Sequence, residues 1–178
     1  MTALLAVLWI QPIRVGYNDS FSDPHMLCVT WPVSAPDVSL GQRVVVDVMK
    51  LPESQRSIYL KYKSELEARG YLIGKFVAGM PGDIVKVQGD RLIVNRWTVF
   101  ILRKDYKGSP VSSYYAKDGS YPISKGYVVL LNPGYGSLDS RYIGPVPKAA
   151  IVRMAVPIPW PKKSGFKGRI LVHQTVTE

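Results

Sequence analysis

The chain has one cysteine, Cys28, so it has no internal disulfide and no cysteine-built zinc site. At 178 residues it can bury a core without such staples, and Cys28 reads as a small buried hydrophobe. Histidine is almost as scarce, with only His25 and His173. There is no Gly-x-Ser-x-Gly elbow, no His-Glu-x-x-His pair and no glycine-rich phosphate loop. The common serine-hydrolase, zinc-hydrolase and nucleotide-binding motifs are therefore missing, and no cofactor or metal is expected. There is no repeat of fixed period either. Acidic residues number 13 against 23 lysines and arginines, a formal balance of +10. No basic run is interleaved with aromatics, so nucleic acid is not expected as a partner. The charge is that of a solvated basic surface and suits an anionic membrane surface.

A long hydrophobic run is also missing. Thr2 to Ile10 reads TALLAVLWI, shorter than the roughly 20 apolar residues that a spanning helix needs. It lacks the charged start and small-residue cleavage site of a secretory signal. A truncated membrane anchor, an interfacial segment and a buried first element all fit it.

What remains is rich in β-branched residues. Arg43–Val48, Tyr71–Val77, Trp97–Leu102, Tyr127–Leu131 and Ile151–Pro157 read as strands. Ile84–Val87 and Arg91–Val94 read as a hairpin across Gly89-Asp90. One helix is expected over Pro52–Arg69, with Ile58, Tyr62 and Leu66 on one face and Gly70 just past its end. Lys104–Ser124, rich in Gly, Ser, Tyr and Lys, reads as a long surface loop or extended hairpin. Its tyrosines at 106, 114, 115 and 121 are candidates for gripping a substrate, though a solvated loop is the plainer reading.

Three segments carry candidate chemistry. They are Asn18-Asp19-Ser20-Phe21-Ser22-Asp23-Pro24, Lys75-Phe76-Val77-Ala78-Gly79-Met80-Pro81-Gly82-Asp83, and Ser137-Leu138-Asp139-Ser140-Arg141-Tyr142-Ile143-Gly144. Singly, each has a plain reading: a turn, a β-turn in which Pro81 sets φ and Gly82 allows φ > 0, and a surface ion pair of little worth. Together and in this order they resemble the motif boxes of type I signal peptidases. The second resembles the family's Lys-x-x-x-Gly-x-Pro-Gly-Asp box and the third its Ser-x-Asp-Ser-Arg box. The likeness runs from about Ser20 to Pro157.

The resemblance implies a mostly β, signal-peptidase-like antiparallel fold with one amphipathic helix and long surface loops. It implies a serine endopeptidase with a Ser–Lys dyad. Ser22 takes the nucleophile position and Lys75 the general-base position. Ser20 matches the hydroxyl that joins the amide of Ser22 in the oxyanion hole. Ser137 matches the lysine-orienting hydroxyl, and Asp139 and Arg141 a bracing ion pair. Residues 1–16 are then a short apolar segment and candidate membrane anchor, and 17–178 a single catalytic domain. The expected location is the inner membrane with the catalytic domain periplasmic, and the expected partner a precursor protein, pilin or another exported substrate.

The chemistry has its own logic. Serine needs a base to attack a peptide carbonyl, and lysine serves only when neutral. Apolar burial lowers a lysine pKa by penalising the charged form, and Ile73, Phe76 and Val77 flank Lys75. Two positions depart from the family: Asp23 follows the nucleophile in place of the usual Met, and Phe76 follows the lysine in place of the usual Arg. These departures resemble the smaller TraF-type peptidases, whose nucleophile box is Asn-x-x-x-Ser-x-Pro and which mature pilin in conjugative plasmid transfer, some by cyclisation. A general signal peptidase and a non-enzymatic assembly module of the same fold are the competing expectations.

Overall fold

Alternation of apolar and polar residues is plainest in Ile84–Gln88, where Val85 and Val87 are buried while Ile84, Lys86 and Gln88 face outward. This half-buried pattern builds one of two antiparallel sheets. The computed structural model describes residues 13–17, 27–33, 38–61, 67, 70–104, 110–134 and 136–158. Within them the strands are β1 (Arg14–Tyr17), β2 (Leu27–Pro32), β3 (Arg43–Asp47), β4 (Leu72–Gly79), β5 (Ile84–Gln88), β6 (Arg91–Val94), β7 (Trp97–Phe100), β8 (Gly119–Pro122), β9 (Tyr127–Leu131), β10 (Val146–Pro147) and β11 (Ile151–Pro157). Two helices join them, α1 (Glu53–Leu60) and the short α2 (Ser140–Ile143).

The larger sheet has the order β1-β2-β11-β3-β4-β9-β10 and the smaller β7-β6-β5-β8. Every pairing is antiparallel. The mostly β antiparallel fold expected from the sequence is what the chain forms. β9 explains why its run is apolar without alternation: Val128 and Leu130 enter one core, and Val129 and Leu131 enter the other. The first core joins these to Val44, Val46, Val77, Ile151 and Tyr59 of α1. The second lies between the two sheets and holds Ala78, Val85, Val87, Leu92, Val94, Ile123 and Tyr142.

The chain passes from the larger sheet to the smaller through Met80-Pro81-Gly82-Asp83. The Asp83 N–H donates to the Met80 carbonyl at 3.0 Å, and Gly82 takes φ +93°. That is a turn with Pro at its second place and a left-handed Gly at its third, as the sequence suggests. The Asp83 carboxylate closes the turn by accepting from the Met80 N–H and the Asn95 side-chain amide, each at 2.8 Å. Just before it, Gly79 lets the sheets approach: a Cβ there would lie 2.6 Å from Ile123 Cδ1 and 2.9 Å from Val94 Cγ2.

The expected helix is described in part, and the reading of the stretch after Lys104 changes. The helix is described over Glu53–Leu60 with Pro52 as its cap; Tyr62 and Leu66 lie outside the described residues, and Ile58 packs partly buried against the first core. The stretch after Lys104 is not simply a solvated loop. Gly119–Pro122 is a strand paired with β5, and Tyr115 and Ile123 are buried, because their side chains fill the gap between the sheets. Tyr115 therefore has no free surface to grip a substrate, whereas Tyr114 is exposed and Tyr106 lies outside the described residues. Strands β1, β2, β8 and β10 and helix α2 add to the elements read from sequence. Arg14–Gly16 of the N-terminal segment pair with Thr30–Cys28, so these residues are part of the larger sheet.

Candidate active site

Lys75 stands in the middle of β4, an inner strand of the larger sheet. Strand register sets Val44 opposite it, and the two-residue alternation puts Ile73 and Val77 on its own face. Val44 and Val77 belong to the first core, and Ile73 packs partly buried against it. Lys75 is 6% exposed, so its long side chain lies in an apolar wall. Phe76 does not share that environment. As the next residue on the strand it faces the other way, 6.0 Å from the Trp97 ring and beneath the Arg43 guanidinium. Gly74 leaves room for that guanidinium, since a Cβ there would meet Arg43 Nη2 at 3.0 Å.

The Lys75 amine donates to Ser137 Oγ at 2.8 Å. Ser137 is 2% exposed and opens the segment that runs into α2. A buried ammonium or amine requires such a partner, because losing water without one is costly.

The segment itself is held from within. Asp139 caps α2, its Oδ1 accepting from the Arg141 N–H at 3.1 Å. Arg141 grips the same carboxylate with two donors, Nε to Oδ1 at 2.8 Å and Nη2 to Oδ2 at 2.7 Å. The pair is 1% exposed on each side, so it is a buried ion pair and not the exposed kind that contributes little. Remaining donors are used on backbone: Arg141 Nη2 reaches the carbonyls of Asn132 and Gly134 at 3.1 and 2.9 Å, and Nη1 that of Phe100 at 3.2 Å. Asp139 Oδ2 also accepts from the Asn132 N–H at 3.0 Å, at the end of β9. Burial by itself would lower the Arg141 pKa, but the charge and hydrogen bonds of Asp139 outweigh it and raise it. Arg141 thus keeps its charge, and its bonds to Asp139, Asn132, Gly134 and Phe100 tie this segment to the ends of β9 and β7.

Two supports of this segment were not foreseen from sequence. From α1, the Tyr59 hydroxyl donates to the Leu138 carbonyl at 3.1 Å, and Gln55 Nε2 donates to the carbonyls of Ile143 and Pro145 at 3.0 and 2.7 Å. From the other side, Ser113 Oγ donates to the Arg141 carbonyl at 2.6 Å and the Tyr114 N–H to the Tyr142 carbonyl at 3.0 Å. These contacts join residues distant in the chain, and no local pattern announces them. Ser20 and Ser22 lie outside the described residues, in the connection from β1 to β2.

Thus the Lys75–Ser137 hydrogen bond and the Asp139–Arg141 ion pair are both buried, one joining β4 to the segment before α2 and the other bracing that segment. The signal peptidase family, peptidase S26, matches residues 1–160, nearly the whole chain and every motif segment. The chain belongs to this family. Signal peptidases of this type are serine peptidases that process precursor proteins, and the family is in general membrane-associated with its catalytic domain on the periplasmic side. Among the described residues no helix is long and apolar enough to cross a membrane. A solved signal peptidase I from Enterococcus faecalis V583 aligns at 21% identity and a TM-score of 0.35, over 66% of this chain and 96% of that one. No curated protein matches the chain.

Proposed function

We propose that this signal peptidase works through a Ser22–Lys75 dyad and matures pilin precursors during conjugative plasmid transfer. The observation that carries the dyad is the buried Lys75 amine on Ser137 Oγ, 6% exposed and 2.8 Å from its acceptor. A lysine in an apolar wall is disfavoured as an ammonium and suited to take a proton from a serine hydroxyl. Ser22 would attack the scissile carbonyl, pass its proton to Lys75 and form an acyl-enzyme. Lys75 would then return the proton to the leaving amine. Ser20 and the Ser22 amide would donate to the oxyanion, and Asp139 with Arg141 would brace Ser137.

The pilin substrate is supported by the Asn18-x-x-x-Ser22-x-Pro24 pattern. A wider range of exported precursors is the second reading, favoured by the family match itself. The acyl ester can be resolved by water or by an amine held beside it. Resolution by the substrate's own N-terminus would close the pilin into a ring. Intact mass decides this: a ring is one water lighter than the linear chain and resists N-terminal sequencing, whereas a linear product with free ends leaves a simple peptidase.

Mutation tests the dyad. Ser22→Ala and Lys75→Ala each abolish processing in folded protein, and Lys75→Arg is equally inactive because a guanidinium keeps its proton. Near-normal activity in any of the three removes the assignment. With chemistry rate-limiting, the wild-type rate climbs from about pH 6 to about pH 8–9 as the base is freed, and a flat profile contradicts a lysine base.

A further inference from the structure

The contacts between α1 and the Ser137–Gly144 segment carry a further inference, which rests on the reading of Lys75 as base and Ser137 as the hydroxyl that holds it. We propose that Tyr59 is a positioning residue for catalysis: its hydroxyl fixes the Leu138 carbonyl and thereby holds Ser137 against the Lys75 amine.

The hydroxyl of Tyr59 donates to the Leu138 carbonyl at 3.1 Å, across 79 residues of chain. The acceptor is the carbonyl of Leu138, the residue after Ser137, in the peptide unit that joins Leu138 to Asp139, so a shift there is passed back to Ser137 through a single residue. Tyr59 is 4% exposed and its ring belongs to the same core as Val44 and Val77, the walls of the lysine. One rigid ring therefore lies in the same core as the apolar wall and ties the segment that leads into α2. Burial first, and the nearby Asp139 carboxylate second, raise the pKa of Tyr59 well above its usual value, so the hydroxyl keeps the proton it donates.

The other bonds from α1 end elsewhere. Gln55 Nε2 reaches the carbonyls of Ile143 and Pro145, beyond α2 and far along the segment from Ser137. The two residues thus do different jobs on one segment. Gln55 ties down its far end, while Tyr59 sets the atom next to the site. A small displacement of a catalytic group lowers the rate of the chemical step without weakening substrate binding. Tyr59 touches no reacting atom and acts only through Ser137.

The test compares Tyr59→Phe with Gln55→Leu, using a purified preprotein with a cleavable signal sequence as substrate in detergent micelles. Tyr59→Phe keeps the ring and removes one donor. It is expected to lower kcat about tenfold at unchanged KM, whereas Gln55→Leu lowers Tm at least as much as Tyr59→Phe does and leaves kcat within about twofold of wild type. Three results overturn the inference: wild-type kcat in Tyr59→Phe, kcat losses in the two variants that simply follow their Tm losses, or a Tyr59→Phe chain that does not fold. Lys75→Ala and Ser137→Ala are run alongside. If both cleave at the wild-type rate, the reading of the site fails. If both are impaired while Tyr59→Phe is not, only the role of Tyr59 fails.

Discussion

At the scale of single residues, the site depends on charges that are affordable only in company. Asp139 and Arg141 are each 1% exposed and use nearly every donor and acceptor they have on each other or on backbone. Removing one leaves the other buried and uncompensated. Asp139→Leu is therefore expected to destabilise the protein by about 3–5 kcal/mol, read from the midpoint of a urea unfolding curve. A loss below 1 kcal/mol would mean that water reaches Arg141. Tyrosines give a pH signature of the opposite kind. Burial foremost raises the pKa of both Tyr59 and Tyr115 above the ordinary value of 10.0, with Asp139 adding to the shift of Tyr59, and the neighbouring Tyr114 and Tyr121, then Asp139, adding to that of Tyr115. Their contribution to stability is complete below that value, where the unfolded phenols are also protonated. It is lost as pH rises past it, because only the unfolded chain then releases protons. The Tm should therefore fall above about pH 10. Tyr115 has a buried hydroxyl without a hydrogen-bond partner, so Tyr115→Phe should leave the Tm at neutral pH unchanged or higher and flatten the alkaline fall. An unchanged alkaline slope in that variant would remove Tyr115 as a cause.

At the scale of elements, the decisive joint is where β4 leaves the larger sheet. Gly79 sits there under Ile123, Val94 and Val129, and Gly79→Ala must push the two sheets apart or twist a side chain off its rotamer. The expected cost is about 1–3 kcal/mol, measured by thermal unfolding. A neutral Gly79→Ala would show that the second core can give way. The same joint was legible in the sequence because Pro81 and Gly82 each have one clear conformational use. So was the β5–β6 hairpin, where alternation and a two-residue Gly89-Asp90 loop coincide; Gln88 pairs with Arg91 and Gly89 takes φ +61°. Elements without a local signal escaped. β8 is Gly-Ser-Tyr-Pro, with almost nothing apolar to mark it. β2 has Cys, Thr and Pro in place of a regular alternation. α2 has four residues, about one turn, too few to show a period. Of the candidate site, motif order pointed to Lys75, Ser137, Asp139 and Arg141, which the fold brings together. It could not point to Tyr59 or Gln55, whose partners lie 79 to 90 residues away.

At the scale of the whole molecule, the charge and the chain's two ends matter together. A balance of +10 favours an anionic surface. Binding of the full chain to vesicles rich in acidic phospholipid is expected to weaken as salt rises and screens the attraction. Salt-insensitive binding would assign the contact to the apolar N-terminal segment instead. The order of the larger sheet has one more consequence, and it concerns time. β2 pairs with β1 on one side and with β11 on the other, and β11 in turn pairs with β3. Among the described residues, the strands on either side of Ser22 are thus stitched to the strand of Lys75 through residues 151–157 and then β3. A ribosome delivers Lys75 well before, and Ser137 shortly before, the strand that completes the sheet. Pairings this distant in sequence are also slow to form. On the proposed Ser22–Lys75 dyad, the nascent protein would hold its base before both halves of the site share one sheet, a built-in delay between synthesis and proteolytic competence that needs no inhibitor.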